Sequence, residues 1–83
     1  MGITTEQAVA DVADVLYVEV GELDHDSDLR DQGMDSVRIM ELVDKWRRAG
    51  AGRLDYIMLA EDPRLPRWLD VLRTLQKAAE PAG

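Results

Sequence analysis

Three sets of residues in this 83-residue chain have types and spacings that could do chemistry. The first is Gly33-Met34-Asp35-Ser36-Val37-Arg38, where an acidic loop runs into the most clearly amphipathic stretch of the sequence. Asp35 is placed to cap a helix there, because its carboxylate can accept from the free N–H groups of the first turn and suits the positive end of the helix dipole. Ser36 then sits on that first turn, exposed, where an attached phosphate is tolerated, and Gly33 supplies the freedom for the turn into the helix. The second set is Asp24, Asp26 and Asp28, with Asp35 twelfth in the series. That alternation is the opening of an EF-hand calcium loop. The match then fails: Leu29 stands where the sharp turn needs glycine, Asp31 where an apolar residue belongs, and Asp35 where a bidentate glutamate is usual, so a solvated acidic loop is the reading. The third is His25, the only histidine. With no Ser-His-Asp spacing and no second metal ligand it is a loop residue, and neither a catalytic set nor a metal site is assigned.

The elements that position Ser36 follow from periodicity. Thr4 and Gln7 read as a capping box with Ile3 in front of it as a staple. Behind them Val9, Val12, Ala13, Leu16 and Val20 keep the spacing of one helical face, which predicts a first helix over about 5–18, stopped by Gly21. Residues 21–35 have no continuous period and read as a long structured loop pinned to the core by Leu23 and Leu29. Fifteen irregular residues are unusual in a small domain unless they serve a function. The second helix, about 36–48, carries Ile39, Leu42, Val43 and Trp46 on its core stripe. Val37 and Met40 lie off that stripe on the Ser36 side, either widening the core face or forming an exposed patch for a partner.

Gly50-Ala51-Gly52 breaks this helix, and a short helix over about 54–60 follows. It is apolar all round, with Leu54 and Ile57 assigned to the core and Tyr56 and Ala60 sharing one face. Asp62-Pro63 ends it. Pro66 fits the first turn of a last helix that carries Leu65, Trp68, Leu69, Leu72 and Leu75 to about residue 78. The folded core is about 4–78, and the tail, about 79–83, is expected to be disordered. The fold class is therefore all-α: a small four-helix bundle of three long helices and one short third helix, forming one domain over 1–83.

A bare Gly-x-Asp-Ser is common wherever a helix starts, and alone means a capped helix. Here the match extends to Asp31, Leu42, Trp46, Leu54-Asp55-Tyr56, Met58-Leu59-Ala60, Pro63 and Trp68. Over roughly residues 5–78 the chain resembles the carrier proteins of thiotemplate biosynthesis, and most closely the aryl carrier proteins of siderophore-type nonribosomal peptide synthesis. The resemblance implies that Ser36 receives 4'-phosphopantetheine from coenzyme A through a phosphopantetheinyl transferase. It also implies that an aryl-acid adenylating enzyme loads the arm's thiol and that a condensation or similar domain unloads it. For docking it implies Met40, Tyr56 and Ala60, to which the geometry of the second helix adds Val37, with Arg38 and Arg48 at the rim. An aryl cargo rests on Val37-Arg38, Trp46-Arg47 and Met58-Leu59-Ala60 alone. The connection from Arg47 to Leu54 is a residue longer than in the family, and helix 2 is less acidic than in fatty-acid carriers, which argues against that branch. A peptidyl carrier loading an amino acid stays open, and so does a non-carrier helical adaptor in which Ser36 remains bare.

Composition narrows the field further. The net charge of −7 argues against nucleic acid, whose phosphates most of this surface would repel. The charge is uneven, with ten acids and one base in residues 1–35 and seven acids and nine bases in 36–83. There is no cysteine, so no disulfide staples the fold and no thiol competes for an acyl group. No stretch is apolar enough to span a membrane and no basic start marks a signal peptide. A cytoplasmic, monomeric, non-catalytic carrier is expected, and Met1 with the polar tail favours a free-standing protein.

Overall fold

The structure, a computed structural model, describes residues 2–79. Helices α1 (Thr5–Val15), α2 (Ser36–Arg48), α3 (Tyr56–Ala60) and α4 (Leu65–Ala79) make up the bundle, and no strand occurs among the described residues. The expected all-α architecture of three long helices and one short one is what forms. Of the tail expected to be disordered over about 79–83, Ala79 is instead the last residue of α4, and 80–83 lie outside the described residues.

Two tryptophans organise the core, and each spends its one polar group on a different pair of elements. Trp46 and Trp68 are fully buried and meet edge to face, with ring centroids 6.2 Å apart and planes at 81°, the arrangement that the aromatic quadrupole favours. Trp68 Nε1 donates to the Leu59 carbonyl at 2.8 Å, satisfying the C-terminal end of α3 from α4. Trp46 Nε1 donates to Asp11 Oδ2 at 2.9 Å, tying α2 to α1. The expected core stripes of α2 and α4 hold: Ile39, Leu42, Val43, Leu65 and Leu72 are buried, while Leu69 and Leu75 pack partly exposed against the cluster.

Asp11 is the one buried charged residue among the described residues, and nothing in the sequence singles it out. Its Oδ1 accepts from Gln7 Nε2 at 2.9 Å and faces Lys45 Nζ at 2.8 Å. Gln7 thus serves Asp11. Only half of the expected capping box forms, with the Gln7 amide N–H donating to Thr4 Oγ1 at 3.0 Å.

The first helix ends earlier than its period suggested. Leu16 is its C-cap, Tyr17 adopts a left-handed conformation with φ of 58°, and two return bonds close the end: Tyr17 N to Asp14 O at 3.1 Å and Val18 N to Ala13 O at 3.0 Å. This is a Schellman motif, whose left-handed position is usually glycine. Helix α2 ends in the same way with Gly50 (φ 134°) there, and Ala51 N bonding back to Trp46 O at 2.9 Å. The helix is therefore stopped at Tyr17, not at Gly21, and Val20, expected on the core face, is turned out with 47% of its surface exposed.

Residues 20–35 are a loop with two short 3₁₀ turns, Val20–Glu22 and Leu29–Gln32. Leu23 and Leu29 pin it as expected, and Met34, which no periodicity marked, is buried beside them. The backbone is fastened as well: Leu29 N donates to Pro63 O at 2.7 Å, and the Gln32 side chain bridges back to Asp24, accepting from its N–H at 2.8 Å and donating to its carbonyl at 3.0 Å. Asp24 itself accepts from the N–H groups of Asp26 and Ser27, so its carboxylate closes a turn in the loop. No cluster of potential metal ligands occurs among the described residues.

Burial raises the pKa of Asp11, but the hydrogen bonds from Lys45, Trp46 and Gln7 and the charge of Lys45 outweigh it, leaving the carboxyl below its ordinary value of 3.8. A folded-state pKa below the unfolded one gives stability that is present above the ordinary value and lost as pH falls through the folded one. Asp11→Ala, which leaves the Trp46 indole N–H unpaired, should lower unfolding free energy by about 2–3 kcal/mol in urea titrations at neutral pH. In the same titrations carried below pH 4, wild type should lose a component of stability that Asp11→Asn lacks.

Candidate functional site

Ser36 is the first residue of α2 and is exposed. Three local features put it there. Gly33, at φ 108°, ends the second 3₁₀ turn in the left-handed region, a conformation in which a side chain would be strained. Met34 is buried and anchors the chain, its N–H donating to Leu29 O at 3.0 Å. Asp35 is extended and caps α2, its Oδ1 accepting from Arg38 N at 2.9 Å. That backbone N–H, with a smaller contribution from the Arg38 guanidinium, holds the Asp35 carboxyl below the ordinary carboxylate value.

Around Ser36 the surface is apolar where the core stripe of α2 leaves off. Val37 is 66% exposed and Met40 49%, so the two residues form a surface patch and do not widen the core. On α3, Asp55 caps the helix through Met58 N at 3.1 Å. This turns Leu59 into the core and leaves Ile57 63% exposed. Ile57 was expected inside. The correction follows from the cap, which starts the helix at Tyr56 and sets its phase; Asp55 was the signal that could have shown this. Leu54 is buried as expected, just before the helix. Tyr56 and Ala60 are half-buried, Tyr56 packing against the core, and α3 lies against both α2 and α4.

The two arginines expected at the rim are placed differently. Arg38 turns back toward α1: its Nε donates to the Val15 carbonyl at 2.9 Å, its Nη1 pairs with Asp35 Oδ2, and its guanidinium carbon lies 5.9 Å from the centre of the Tyr17 ring. Arg48 is on the last turn of α2, twelve residues beyond Ser36 and about 18 Å along the axis, where it pairs with Asp44 at 2.8 Å. The structure does not bring it to the serine. Tyr17 was not singled out in the sequence, because nothing there marks an aromatic residue as a helix terminator.

The residues fit a phosphodiester on Ser36. The hydroxyl stands in the open at a helix start, and the neighbouring Asp35 charge is offset by Arg38. The family described as "Phosphopantetheine attachment site" matches residues 6–72, a span that contains the whole arrangement. The chain belongs to that family.

Members carry 4'-phosphopantetheine covalently and are non-catalytic carriers, which removes the bare helical adaptor from consideration. Among similar proteins, the isochorismatase of Bacillus subtilis (strain 168) is 37% identical over 78 residues, 94% of this chain and 25% of that protein. The phenyloxazoline synthase MbtB of Mycolicibacterium paratuberculosis is 37% identical over 82 residues, 94% of this chain and 7% of that one. The acyl carrier protein ScoB of Streptomyces coeruleorubidus is 34% identical over 77 residues, 93% of this chain and 89% of its own length. This phosphopantetheine-attachment domain thus spans a quarter or less of the first two. No solved structure matches it. No described helix is long and apolar enough to cross a membrane.

Because the cap is a single local bond, Asp35→Ala should cost about 1 kcal/mol, read as a shift of the urea midpoint. Ser36→Ala should stay within about 0.5 kcal/mol of wild type. A Ser36 variant that melts far earlier would mean that the hydroxyl is structural.

Proposed function

We propose that this domain is an aryl carrier of nonribosomal peptide or siderophore-like biosynthesis, with Ser36 as its attachment residue. The observation that carries the reading is the exposed Ser36 hydroxyl, presented by a capped helix start within the matched span. A phosphopantetheinyl transferase, supplying Mg²⁺, directs the Ser36 oxygen at the pyrophosphate of coenzyme A. A phosphodiester to Ser36 forms, the pyrophosphate bond breaks, adenosine 3',5'-bisphosphate leaves, and the hydroxyl proton passes to a base of the transferase. Once attached, the arm supplies a terminal thiol that holds an acyl group as a thioester.

This chain's own residues present and dock. Gly33, Met34 and Asp35 fix the turn that offers Ser36, and Val37, Met40, Tyr56 and Ala60, now joined by Ile57, form the face on which partners seat. An aryl-acid adenylating enzyme and a condensation-type domain use that face in turn, and tethering gives each a high local concentration of substrate. An aryl cargo is supported by the residues flanking Ser36 and by the name of a relative that makes a phenyloxazoline. The name of ScoB, an acyl carrier protein, supports the carrier reading.

Intact mass after incubation with coenzyme A and a broad-specificity transferase should show one phosphopantetheinyl group on wild type and none on Ser36→Ala. The modified protein, offered to a salicylate- or dihydroxybenzoate-activating enzyme and an amino-acid-activating one in competition, should load the aryl acid faster. Faster loading of the amino acid moves the domain to the peptidyl branch, and a mass gain on the alanine variant overturns the assignment of Ser36.

Docking is separable from modification. Met40→Asp and Ile57→Asp remove exposed apolar anchors, and Ala60→Gln puts a polar bulk beside them. Each should lower acyl transfer to the downstream domain about tenfold, on the order of one interface hot spot, while Ser36 modification persists and melting moves by no more than a few degrees. Early melting of Ala60→Gln would assign that half-buried residue to packing.

A further inference from the structure

Arg38 joins the end of α1 to the start of α2 by three contacts that neither capping nor docking requires. Its Nε–H reaches the Val15 carbonyl, one of the last-turn acceptors a helix end leaves open. Its Nη1 holds the second oxygen of the Asp35 cap, and its guanidinium carbon stands over the Tyr17 ring, 5.9 Å from the centroid. We infer that Arg38, with Tyr17 seated on it, is a positioning residue for the modification of Ser36, locking the serine-bearing turn to the end of α1. This rests on the reading of Ser36 as the attachment residue.

Three observations converge on the clamp. First, twenty residues separate the end of α1 from the start of α2, and the Asp11 contacts that tie the two helices lie at Lys45 and Trp46, nine and ten residues beyond Ser36. Second, Tyr17 stands in the left-handed position that α2 gives to Gly50. It is 85% exposed, so no core packing compensates its strained backbone, and the guanidinium is its partner. Third, the geometry favours an arginine, because its fixed fork donates from Nε to the Val15 carbonyl and from Nη1 to Asp35 at once, whereas a lysine ammonium is a single point charge on a flexible stem. A hydroxyl that must meet the phosphorus in line is sensitive to small misplacement, which can cost about a hundredfold in rate for 1 Å. A side chain spent on three internal contacts is poorly placed to greet a partner.

Steady-state kinetics of phosphopantetheinylation should separate the two roles. Arg38→Ala should lower kcat about tenfold or more with KM within about twofold; Arg38→Lys should recover only part of the loss, Tyr17→Phe should match wild type, and Tyr17→Gly should fall between. A rise in KM with kcat unchanged would make Arg38 a direct partner contact and overturn the proposal, as would no change in either. Hydrogen exchange reads the clamp without the transferase: in Arg38→Ala the amides of residues 37 and 38 should exchange faster, about tenfold, while those of Ile39, Leu42 and Val43 keep their protection. Unchanged exchange at 37 and 38 sinks the clamp alone, whereas a wild-type chain that never gains the mass sinks the attachment reading and this role with it.

Discussion

The bundle depends on one buried carboxylate. Asp11, in the middle of α1, takes the indole N–H of Trp46 and the ammonium of Lys45 from consecutive residues of α2, so a single side chain fixes both the approach and the rotation of the two helices. A buried charge is costly unless it is paired and hydrogen-bonded, and here every neighbour that could pay is present. Lys45 remains half in water, so the pair is not fully desolvated. Once Trp46 is placed, its ring sets the edge against which Trp68 stands, and Trp68 in turn holds the last turn of α3 through the Leu59 carbonyl. The polar contact and the aromatic contact therefore form one chain of constraints from α1 to α3, with the serine-bearing helix at its centre.

That chain explains how a five-residue helix persists. Isolated, α3 is far below the length at which a helix is stable in water. It survives because Asp55 caps one end, Trp68 takes a carbonyl at the other, and Leu59 is fully buried between them. Its remaining apolar residues are then free to face outward, and Ile57 does so.

The sequence was most legible where period and capping agreed. Helix α2 could be read to the residue, since Asp35 starts it, Gly50 ends it and a four-residue stripe runs between. It was least legible where a side chain overrides the local pattern. The apolar face of α1 continues in register to Val20, but the chain leaves the helix at Tyr17, and a left-handed tyrosine has no sequence signature to announce it. Asp11 lies between apolar neighbours and reads as a surface residue until Trp46, thirty-five residues away, supplies its partner. Ile57 was misplaced because a short apolar helix has no period to measure, although its cap residue was in view. Ser36 was legible in the residues as a helix start, while its proposed chemistry rests on the resemblance and on its place within the span that the family matches.

The small size of the exposed apolar face suits the proposed role. A carrier must be seized and released by a transferase, a loading enzyme and an unloading domain in turn, and all of them need access to the same serine. A large hydrophobic interface would hold one partner against the next. On the side of Ser36 and α3 the large apolar side chains left outside are Val37 and Met40 on α2 and Ile57 on α3, each only one-half to two-thirds exposed. Burying one such side chain in full yields about 1.5–3 kcal/mol, and association must first offset several kcal/mol of lost freedom. On the proposed docking face, three partial burials would therefore give weak, rapidly reversible docking, in which electrostatic matching affects the rate of encounter more than its persistence. On the proposed role the tether then does what affinity does not, since an acyl group held on the thiol of an arm fixed to Ser36 would not be lost when the partner lets go.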